Sequence, residues 1–482
     1  MFLKLSKNTY VRQYGPFTYI LGRIRNFDQM YTDAEVFMRW ITRKPTHKDA
    51  ILERIFSVFN DVDPDIIVND FNDFITPLIN EKIILAAQNE TELQQIDESF
   101  SYDVDDPKTA ALSLGHNEER TFDTVPQLLL EEYFAEHPTI FDLQIDVTQA
   151  CTERCIHCYI PEYNPIFLPY EQIVKVIDEF SEQGGICLTL SGGECMMHPD
   201  FERIVRYARL KDLVVGILSN LTLCNDAIIK LMQEVEATVQ VSLYSMNPQT
   251  HDAITKHPGS WLKTKKAIEK LRSAHIPCCI SCPTMKSNYK DYMDVLAYAR
   301  GLKMDAQTDF IIMGKTNCDT SNLSCRLNLT ETRRLLEDIV YNALPINSEY
   351  FNPEKKEYLW SDEKWAQSKV CGACISSVCL DADGHYYPCP AFGGITLGSC
   401  YEHSLNWIWT KSPQTLRIRS VTGKDFPKCV HCKDRDYCSV CMCRNFNETG
   451  DMFKPANHFC KVARINHEVV DAKQRLMMNA NV

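Results

Sequence analysis

The hydrophobic and polar positions of this chain of 482 residues change their periodicity along its length. From about residue 140 to 345, short apolar runs alternate with stretches in which apolar residues recur every three or four positions. The first run, Phe141–Val147, alternates apolar and polar residues, as a half-buried strand does. Such a succession predicts a parallel α/β barrel or sheet. The later predicted strands are 186–190, 213–218, 238–243, 277–283 and 307–313, and the predicted helices are 170–183, 199–209, 225–235, 260–274 and 288–301.

The first 88 residues predict a small domain of their own. Segments 9–13 and 17–21 flank a turn at Gly15 and Pro16, which indicates a β-hairpin. Three helical patterns follow, beginning near Thr32, Thr46 and Asp63, and residues 82–85 predict a short closing strand.

Residues 89–139 predict an acidic linker and a helix. Between 89 and 124 there are ten acidic residues and two basic ones. Such a stretch buries little apolar surface, so we expect a solvated linker. A helix from Pro126 to His137 then leads into the first barrel strand.

Charge and hydropathy narrow the classes of partner. The formal net charge is −13, and no basic stripe is present for a nucleic acid. The amino terminus lacks the apolar segment of a signal peptide, and no run of eighteen apolar residues occurs. We therefore expect no nucleic-acid partner, no membrane association and a cytoplasmic location.

The 22 cysteines are the unusual feature of the composition, and they cluster at 151–158 and 371–460. Clustering in a large chain without an export signal favours metal sites over disulfides. Cys151, Cys155 and Cys158 follow the first strand with Cx3Cx2C spacing. Four thiolates close a [4Fe–4S] cluster, so three leave one iron open. The alternative is a zinc site, but structural zinc normally has four ligands, and His157 is poorly placed to be the fourth.

This motif, followed by Tyr159 at the end of a first strand, resembles the radical S-adenosylmethionine (SAM) superfamily. The resemblance implies an α/β fold with a partial (β/α)6 TIM-like barrel over residues 140–345. It also implies that the open iron of the [4Fe–4S] cluster chelates SAM. An electron from the cluster then cleaves SAM to a 5′-deoxyadenosyl radical, which abstracts hydrogen from a substrate. An electron donor such as ferredoxin or flavodoxin is implied as a partner.

Several polar or glycine positions at predicted strand ends resemble the SAM-binding motifs of this family. Gly192-Gly193-Glu194 resembles the motif that binds the SAM amino group, and Lys256 stands where the family more often has an arginine for the SAM carboxylate. Each of these positions has a simpler alternative, a solvated loop residue. The cofactor-binding residues implied by the resemblance are Tyr159, Gly192, Gly193, Glu194, Ser219, Asn220, Ser242 and Lys256. No catalytic acid or base is assigned.

The tail, residues 346–482, contains a C-x12-G-x4-C pattern and a C-x2-C-x5-C knuckle. This resembles the SPASM domain, which holds two auxiliary [4Fe–4S] clusters. The knuckle departs from the family in its last spacing, and Cys374, Cys379 and Cys400 are surplus. Zinc knuckles are the alternative. The resemblance implies an outer cluster on Cys429, Cys432, Cys438 and Cys460, and an inner cluster on Cys371, Cys389 and either Cys441 or Cys443, with its fourth ligand open.

The hairpin and helices of residues 1–88 resemble the PqqD-like domain that binds leader peptides by adding a strand to a sheet edge. A DNA-binding winged helix is disfavoured because the third helical pattern is acidic. The three resemblances together imply a maturase of a ribosomally made precursor peptide. A thioether crosslink is the first expectation, followed by another crosslink and by epimerisation. The alternatives are a protein-modifying enzyme of the sulfatase-maturase type, and a non-enzymatic iron–sulfur or zinc module.

Overall fold

A computed structural model describes residues 1–23, 27–32, 34–59, 61–96, 98, 126–342, 344 and 361–480. The described residues fall into two compact units. The first contains the chain up to residue 98 together with residues 126–130, and the second contains the chain from residue 131 onward. The predicted linker residues 99–125 and the predicted boundary at 345 lie outside the described residues.

The first unit combines two antiparallel sheets with short helices. The two sheets have the orders β5-β1-β6 and β2-β3-β4, and the hairpin of β2 and β3 pairs Tyr14 with Phe17 across its turn. Apolar faces of α2 and α3 pack on β1 through buried Ile51, Phe71 and Leu78. The elements are β1 (Phe2–Leu5), β2 (Thr9–Tyr14), β3 (Phe17–Gly22), β4 (Phe27–Thr32), α1 (Glu35–Met38), β5 (Thr46–His47), α2 (Lys48–Phe56), α3 (Pro64–Asn80), β6 (Ile84–Ala87) and α4 (Glu90–Gln94).

This unit differs from the sequence-based expectation at both of its ends. The helix predicted from Thr32 is the single turn α1, and β1 and β4 were not predicted. Residues 90–96 and 98 are not a solvated linker, because Leu93 is fully buried and the Glu98 carboxylate accepts hydrogen bonds from Lys4 Nζ and the Lys7 amide. A buried leucine and a paired acid tie this segment to the sheet.

The second unit is organised around a sheet whose first six strands are parallel and adjacent in chain order, β7 to β12. Helices cover it, and their apolar faces form the main core with the strands. This arrangement confirms the predicted α/β class and the partial six-stranded barrel. Helix α5 (Pro126–Glu136) begins in residues assigned to the first unit and ends in residues assigned to the second. The elements that follow it are β7 (Asp142–Thr148), α6 (Tyr170–Glu182), β8 (Cys187–Gly192), α7 (Phe201–Leu210), β9 (Val214–Ser219), α8 (Asp226–Glu234), β10 (Thr238–Ser242), α9 (Pro248–Thr255), α10 (Ser260–Ser273), β11 (Cys278–Pro283), α11 (Tyr292–Gly301), β12 (Asp305–Asp309) and α12 (Leu329–Asn342).

The tail extends the same sheet, because β13 pairs in parallel with β7, β14 pairs antiparallel with β13, and β15 pairs antiparallel with β14. Short helices then surround the knuckle cysteines, and one long helix ends the described chain. No helix of the described residues is both long and apolar enough to cross a membrane. The tail elements are α13 (Asp362–Gln367), β13 (Ser377–Leu380), β14 (His385–Tyr387), β15 (Gly398–Ser399), α14 (Leu405–Lys411), α15 (Pro413–Ser420), α16 (Pro427–Val430), α17 (Met442–Thr449) and α18 (Asn457–Ala480).

The sixth barrel strand is shifted from its predicted position. The apolar run predicted a strand at 307–313, but β12 ends at Asp309, and the chain beyond it turns away from the sheet. The Ile312 carbonyl accepts from the buried Arg326 side chain instead of from a strand neighbour. The apolar character of this segment correctly predicted that it is buried. Its backbone conformation follows the hydrogen bond to Arg326 and not the strand pattern.

Candidate active site

The cysteine loop, residues 151–158, leaves the carboxyl end of β7 and is held by backbone contacts on two sides. The Arg154 amide donates to the Thr255 carbonyl at 2.8 Å, and the Ile156 amide donates to the Ile254 carbonyl at 3.0 Å. On the other side, Asn322 Nδ2 donates to the carbonyls of His157, Cys158 and Met313 at 3.0, 3.3 and 2.8 Å. The loop therefore has a defined shape that does not depend on its thiols alone.

Burial makes free thiolates unfavourable in this loop. It raises the pKa of Cys151 to about 12 and lifts the pKa values of Cys155 and Cys158 above their usual range. Three thiols in one buried loop therefore need positive charge to ionise, which an iron–sulfur cluster supplies when bound. Among the described residues, no three His, Cys, Asp or Glu side chains converge on a single metal ion. A cubane offers a separate iron to each thiolate, so its ligands need not meet at one point.

In the Gly192-Gly193-Glu194 segment at the end of β8, other backbone atoms come so close that the first two positions have room only for glycine. Gly192 has φ +117°, and a Cβ there would lie 2.2 Å from the Thr148 carbonyl oxygen. A Cβ on Gly193 would lie 2.3 Å from the Ala150 carbonyl oxygen. The segment is thus pressed against the start of the cysteine loop, and neither position has room for a side chain.

The Glu194 carboxylate is fully buried. Two of its hydrogen-bond donors, Ser219 and Asn220, are residues that were predicted to contact the cofactor. The carboxylate accepts from the Ser219 hydroxyl at 2.8 Å, from the Asn220 amide at 2.9 Å and from the Met196 amide at 3.1 Å. Ser219 therefore contacts Glu194, and the Asn220 side chain reaches Cys151 Sγ at 3.8 Å. The strand end of β9 orients the acid and the first thiol together.

The other predicted cofactor contacts have different surroundings. Burial raises the pKa of Tyr244, and the neighbouring Ser242 side chain, at the end of β10, opposes this rise. Lys256 ends α9 in a left-handed conformation (φ 56°), and its side chain is exposed. Burial raises the pKa of Tyr159, with further contributions from Asp146, Cys158 and two tail thiols. Tyr159 thus lies between the cysteine loop and the tail.

The thiols predicted for the outer cluster line one cavity of about 380 Å³ in the tail. Arg444, Lys428 and Lys454 also line it, so positive charge surrounds the thiols. Burial raises the pKa of Cys429 to about 11 and that of Cys438 to about 12. The cysteines of this cavity are Cys429, Cys432, Cys438, Cys441 and Cys460.

The thiols predicted for the inner cluster form a second group around Cys389. The neighbouring thiols Cys389 and Cys441 raise the pKa of Cys443, whose Sγ lies 3.0 Å from the Ala391 carbonyl. Cys443 in turn lowers the pKa of Cys441 below its usual range. Burial raises the pKa of Cys374 to about 12, and the charges of Cys371 and Cys389 add smaller contributions.

Two further thiols, Cys379 and Cys400, were left without a predicted ligand role. Cys379 lies near this group, whereas Cys400 contacts a barrel helix through its carbonyl. The Cys389 charge contributes to the raised pKa of the buried Cys379, after burial and Asp146. The Cys400 carbonyl instead accepts from Gln172 on α6 at 2.7 Å. Spacing alone had left both without a role.

Sequence reasoning missed side chains that reach the loop from outside the motifs. The Tyr244 hydroxyl donates to Cys155 Sγ at 3.7 Å, and Tyr163 hydrogen-bonds to Cys158. Asn322 clamps the loop, as described above. A polar or aromatic residue directly after a barrel strand was the available signal for Tyr244, whereas Asn322 lies too far along the chain for any spacing rule.

Two carboxyls at strand ends were also missed. Burial raises the pKa of Asp146, on β7, to about 7, and that of Asp309, at the end of β12, to about 6. Carboxyls with such pKa values exchange protons near neutral pH.

Residues 145–299 match the family model of the Radical SAM superfamily. The match begins in β7 and includes the cysteine loop, the Gly192-Gly193-Glu194 segment and the barrel as far as α11. The chain therefore contains a radical SAM domain, and the protein is an enzyme that uses a [4Fe–4S] cluster and SAM.

Individual relatives extend the likeness beyond this domain. The chain is 25% identical over 328 residues to the antilisterial bacteriocin subtilosin biosynthesis protein AlbA of Bacillus subtilis, covering 65% of this chain and 69% of AlbA. It is 25% identical over 326 residues to the AdoMet-dependent heme synthase of Methanosarcina barkeri, covering 64% and 92%. The fold is similar to Streptococcus suis SuiB bound to its precursor peptide SuiA, with a TM-score of 0.59, 15% identity, and coverage of 95% of this chain and 99% of SuiB.

Proposed function

We propose that this radical SAM enzyme modifies a ribosomally made precursor peptide, most favourably by forming an intramolecular thioether crosslink. The observation that carries the proposal is the extent of the likeness to SuiB, which covers 95% of this chain and so includes the first unit as well as the barrel and tail. The relatedness to AlbA, a bacteriocin biosynthesis protein, supports the same substrate class. The proposed substrate is therefore a peptide with a leader and a core segment.

The first unit would hold the leader in the manner of a PqqD-like domain. In the described residues, β2 and β4 are the outer strands of the sheet with the order β2-β3-β4, so each presents one backbone edge. An extended peptide can add to such an edge through main-chain hydrogen bonds. Holding the leader raises the effective concentration of the core peptide for the enzyme.

The cysteine loop would hold the SAM-binding cluster, through Cys151, Cys155 and Cys158. When bound, this cluster supplies the electron that cleaves SAM. The Glu194 carboxylate, oriented by Ser219 and Asn220, would accept from the SAM ammonium. Lys256 is free to move toward the SAM carboxylate because its side chain is exposed. A donor such as ferredoxin or flavodoxin would reduce the cluster.

The tail would hold two auxiliary clusters with distinct ligand sets. The shared cavity supports Cys429, Cys432, Cys438 and Cys460 as the outer set. For the inner set, the contact between Cys443 and Cys389 favours Cys443 over Cys441. Cys371 would be the third ligand, and the neighbouring Cys374 is our candidate for the fourth, since Cys371 and Cys389 both contribute to its raised pKa after burial.

A second candidate function is modification of a tetrapyrrole, since the heme synthase relative is also 25% identical and is covered over 92% of its length. That alignment includes 64% of this chain, so it leaves about a third of the chain without a counterpart. A sulfatase-maturase type of activity would likewise need no leader. These alternatives are separated from the main proposal by dependence on a leader.

The test uses the full-length enzyme, reconstituted with iron and sulfide under anaerobic conditions and reduced with dithionite. The substrate is the precursor peptide encoded by the short reading frame beside this gene. We expect 5′-deoxyadenosine and a peptide that has lost two hydrogens, located to one crosslink by fragmentation. The core peptide without its leader, and a reaction without SAM, are the matched controls.

Each other outcome points to a different function. Equal modification of the core without its leader would favour the sulfatase-maturase type. An unchanged mass with an altered stereocentre would identify an epimerase. Absence of 5′-deoxyadenosine would contradict the radical SAM reaction itself and leave a binding module.

A further inference from the structure

Each of the three thiols in the cysteine loop has a side-chain hydrogen-bond donor of its own. The donors come from three separate segments, the ends of β9 and β10 and the chain that follows the loop. Asn220 Nδ2 donates to Cys151 Sγ at 3.8 Å and the Tyr244 hydroxyl donates to Cys155 Sγ at 3.7 Å, while Tyr163 lies beside Cys158 and opposes the burial that raises the pKa of this thiol. Backbone folding alone does not require such a one-to-one arrangement, so the donors point to a role at the sulfur atoms.

Tyr244 is the most tightly held of the three donors. Its side chain is 4% exposed, and its ring lies between the imidazoles of His157 and His251, with centroid distances of 5.2 and 5.4 Å. The backbone is fixed too, because its amide donates to His251 Nδ1 at 3.3 Å and its carbonyl accepts from Asn288 Nδ2 at 2.7 Å. The hydroxyl therefore reaches Cys155 Sγ, at 3.7 Å, from a rigid position.

The Ser242 side chain, on the same strand end, is a polar neighbour of the Tyr244 hydroxyl and opposes the burial that raises the pKa of this hydroxyl. A polar neighbour that favours the ionised hydroxyl also strengthens its donation, because it polarises the O–H group. Ile254, Met285 and Ile312 pack around Tyr244, and the buried Glu153 carboxylate accepts from the same Cys155 thiol at 3.3 Å, so both polar groups act on the sulfur away from solvent. Electrostatic effects of the hydroxyl on the sulfur are correspondingly large.

We propose that Tyr244 is a positioning residue whose O–H···S hydrogen bond to Cys155 raises the reduction potential of the SAM-binding cluster. The inference rests on the function proposed above, which places that cluster on Cys151, Cys155 and Cys158. Reduction adds one negative charge, part of which resides on the ligand sulfurs, and a fixed donor stabilises the reduced form more than the oxidised one. The hydrogen bond makes the electron that SAM cleavage requires easier to load.

The test is an anaerobic redox titration of the full-length reconstituted protein, followed by electron paramagnetic resonance. The SAM-binding cluster is recognised as the reduced signal whose shape changes when SAM is added, and its midpoint is measured without SAM. Tyr244→Phe keeps the ring between the two imidazoles and removes only the hydroxyl. We expect its midpoint to shift to a more negative potential. Iron content is determined on every sample.

Two further variants define the comparison. Tyr298→Phe is the matched control, because the buried Tyr298 hydroxyl has no hydrogen-bond partner among the described residues and lies against Lys265 on the barrel helices. We expect its midpoint to equal that of the unmodified protein. Ser242→Ala leaves Tyr244 in place and weakens its donation, so we expect a smaller shift in the same negative direction. This variant decides the matter if Tyr244→Phe binds less iron.

Failure of the inference and failure of the proposed function give different results. An unchanged midpoint in both Tyr244→Phe and Ser242→Ala, with a normal SAM-sensitive signal, would overturn the role of Tyr244 alone. A missing SAM-sensitive signal in the unmodified protein would overturn the proposed cluster site and the inference with it.

Discussion

The cysteine loop and the cysteine-rich tail hold their thiols in different ways. In the loop, backbone hydrogen bonds from Arg154 and Ile156 and the Asn322 clamp fix the chain. In the tail, the thiols come from distant segments and line a cavity, and several contact one another, as Cys443 does with Cys389 and Cys441. The loop is shaped mainly by the barrel, whereas the tail offers more thiols than two four-ligand sites use.

This difference predicts different dependence on bound groups. A loop that is held by the protein keeps its shape when the metal is absent, and its loss affects chemistry more than folding. A cavity surrounded by thiols has little else to close it, so metal binding contributes directly to its folding free energy. Four variants test this comparison, and they are described from the largest expected effect to the smallest.

Removal of a loop thiol is expected to have the largest effect on the reaction. Cys155→Ala removes one of the three proposed ligands, so 5′-deoxyadenosine formation should fall to the level of the protein-free control, and iron should decrease by about four atoms per chain. The measurement is an anaerobic dithionite assay with chromatography, together with iron analysis. Cys279→Ala, on β11 of the same barrel, is the control and should retain both.

Removal of a tail thiol should leave SAM cleavage intact and abolish formation of the crosslinked peptide. Cys429→Ala eliminates one proposed outer ligand and should also cost about four irons, yet 5′-deoxyadenosine should still form. Crosslinked peptide should be lost, and the apparent melting temperature should fall more than in Cys155→Ala because the cavity is left open. Cys400→Ala is the comparison variant, because it removes a tail thiol that is not a proposed ligand of either cluster. If the two tail variants behave alike, the proposed outer ligand set is wrong.

A single methyl group in the Gly-Gly-Glu segment should have an intermediate effect. Gly193→Ala would place Cβ 2.3 Å from the Ala150 oxygen, so the segment must move away from the loop. Displacing Glu194 by about 1 Å is enough to reduce turnover roughly 100-fold. Steady-state rates with varied SAM measure the effect, and Gly301→Ala is the control because a Cβ there meets no atom of the described residues within 4 Å.

A rate for Gly193→Ala close to that of Gly301→Ala would show that the loop and the Glu194 segment are not mechanically coupled. The comparison between the two regions would then lose its main support, since a loop shaped by the barrel should transmit such a displacement.

The sequence could predict the loop better than the tail, for a physical reason. Strand periodicity is a local property, and together with the resemblance of the Cx3Cx2C and Gly-Gly-Glu motifs to the radical SAM family it predicted that Cys151, Gly193 and Glu194 lie at strand ends. Contacts between distant segments are not encoded in spacing. Three features depend on contacts between residues that are far apart in the sequence. They are the clamp by Asn322, the pairing of Glu98 with Lys4, and the choice between Cys441 and Cys443.

The same limit explains the shifted strand β12. Residues 310–313 are apolar and continue the strand pattern, but the Arg326 side chain takes the Ile312 carbonyl, so the sheet ends at Asp309. Likewise, the resemblance predicted that Ser219 and Asn220 lie at a strand end near the cofactor, and their contact with the cofactor stays a prediction. Their hydrogen bonds to Glu194 and Cys151 could be seen only in the fold.

The smallest predicted effect concerns Asp309, where the barrel edge faces Arg444 of the tail. Burial raises its folded-state pKa to about 6, from an ordinary value of 3.8, despite the opposing effect of Arg444. Between these two pKa values the folded state binds a proton that the unfolded state has lost, so stability decreases as pH rises through the window. Above pH 6 the full cost of the buried charge persists.

Asp309→Asn keeps the hydrogen bond from the Ile311 amide and removes the titration. The variant should therefore be more stable than the unmodified protein at pH 7.5, by about 2–3 kcal/mol, and this advantage should shrink by about 1 kcal/mol on acidification to pH 5.5. Anaerobic denaturation across this range measures it, with the exposed Asp294→Asn as the control. A constant difference would mean that Arg444 compensates the charge fully, and that the barrel edge and the tail meet through an ion pair.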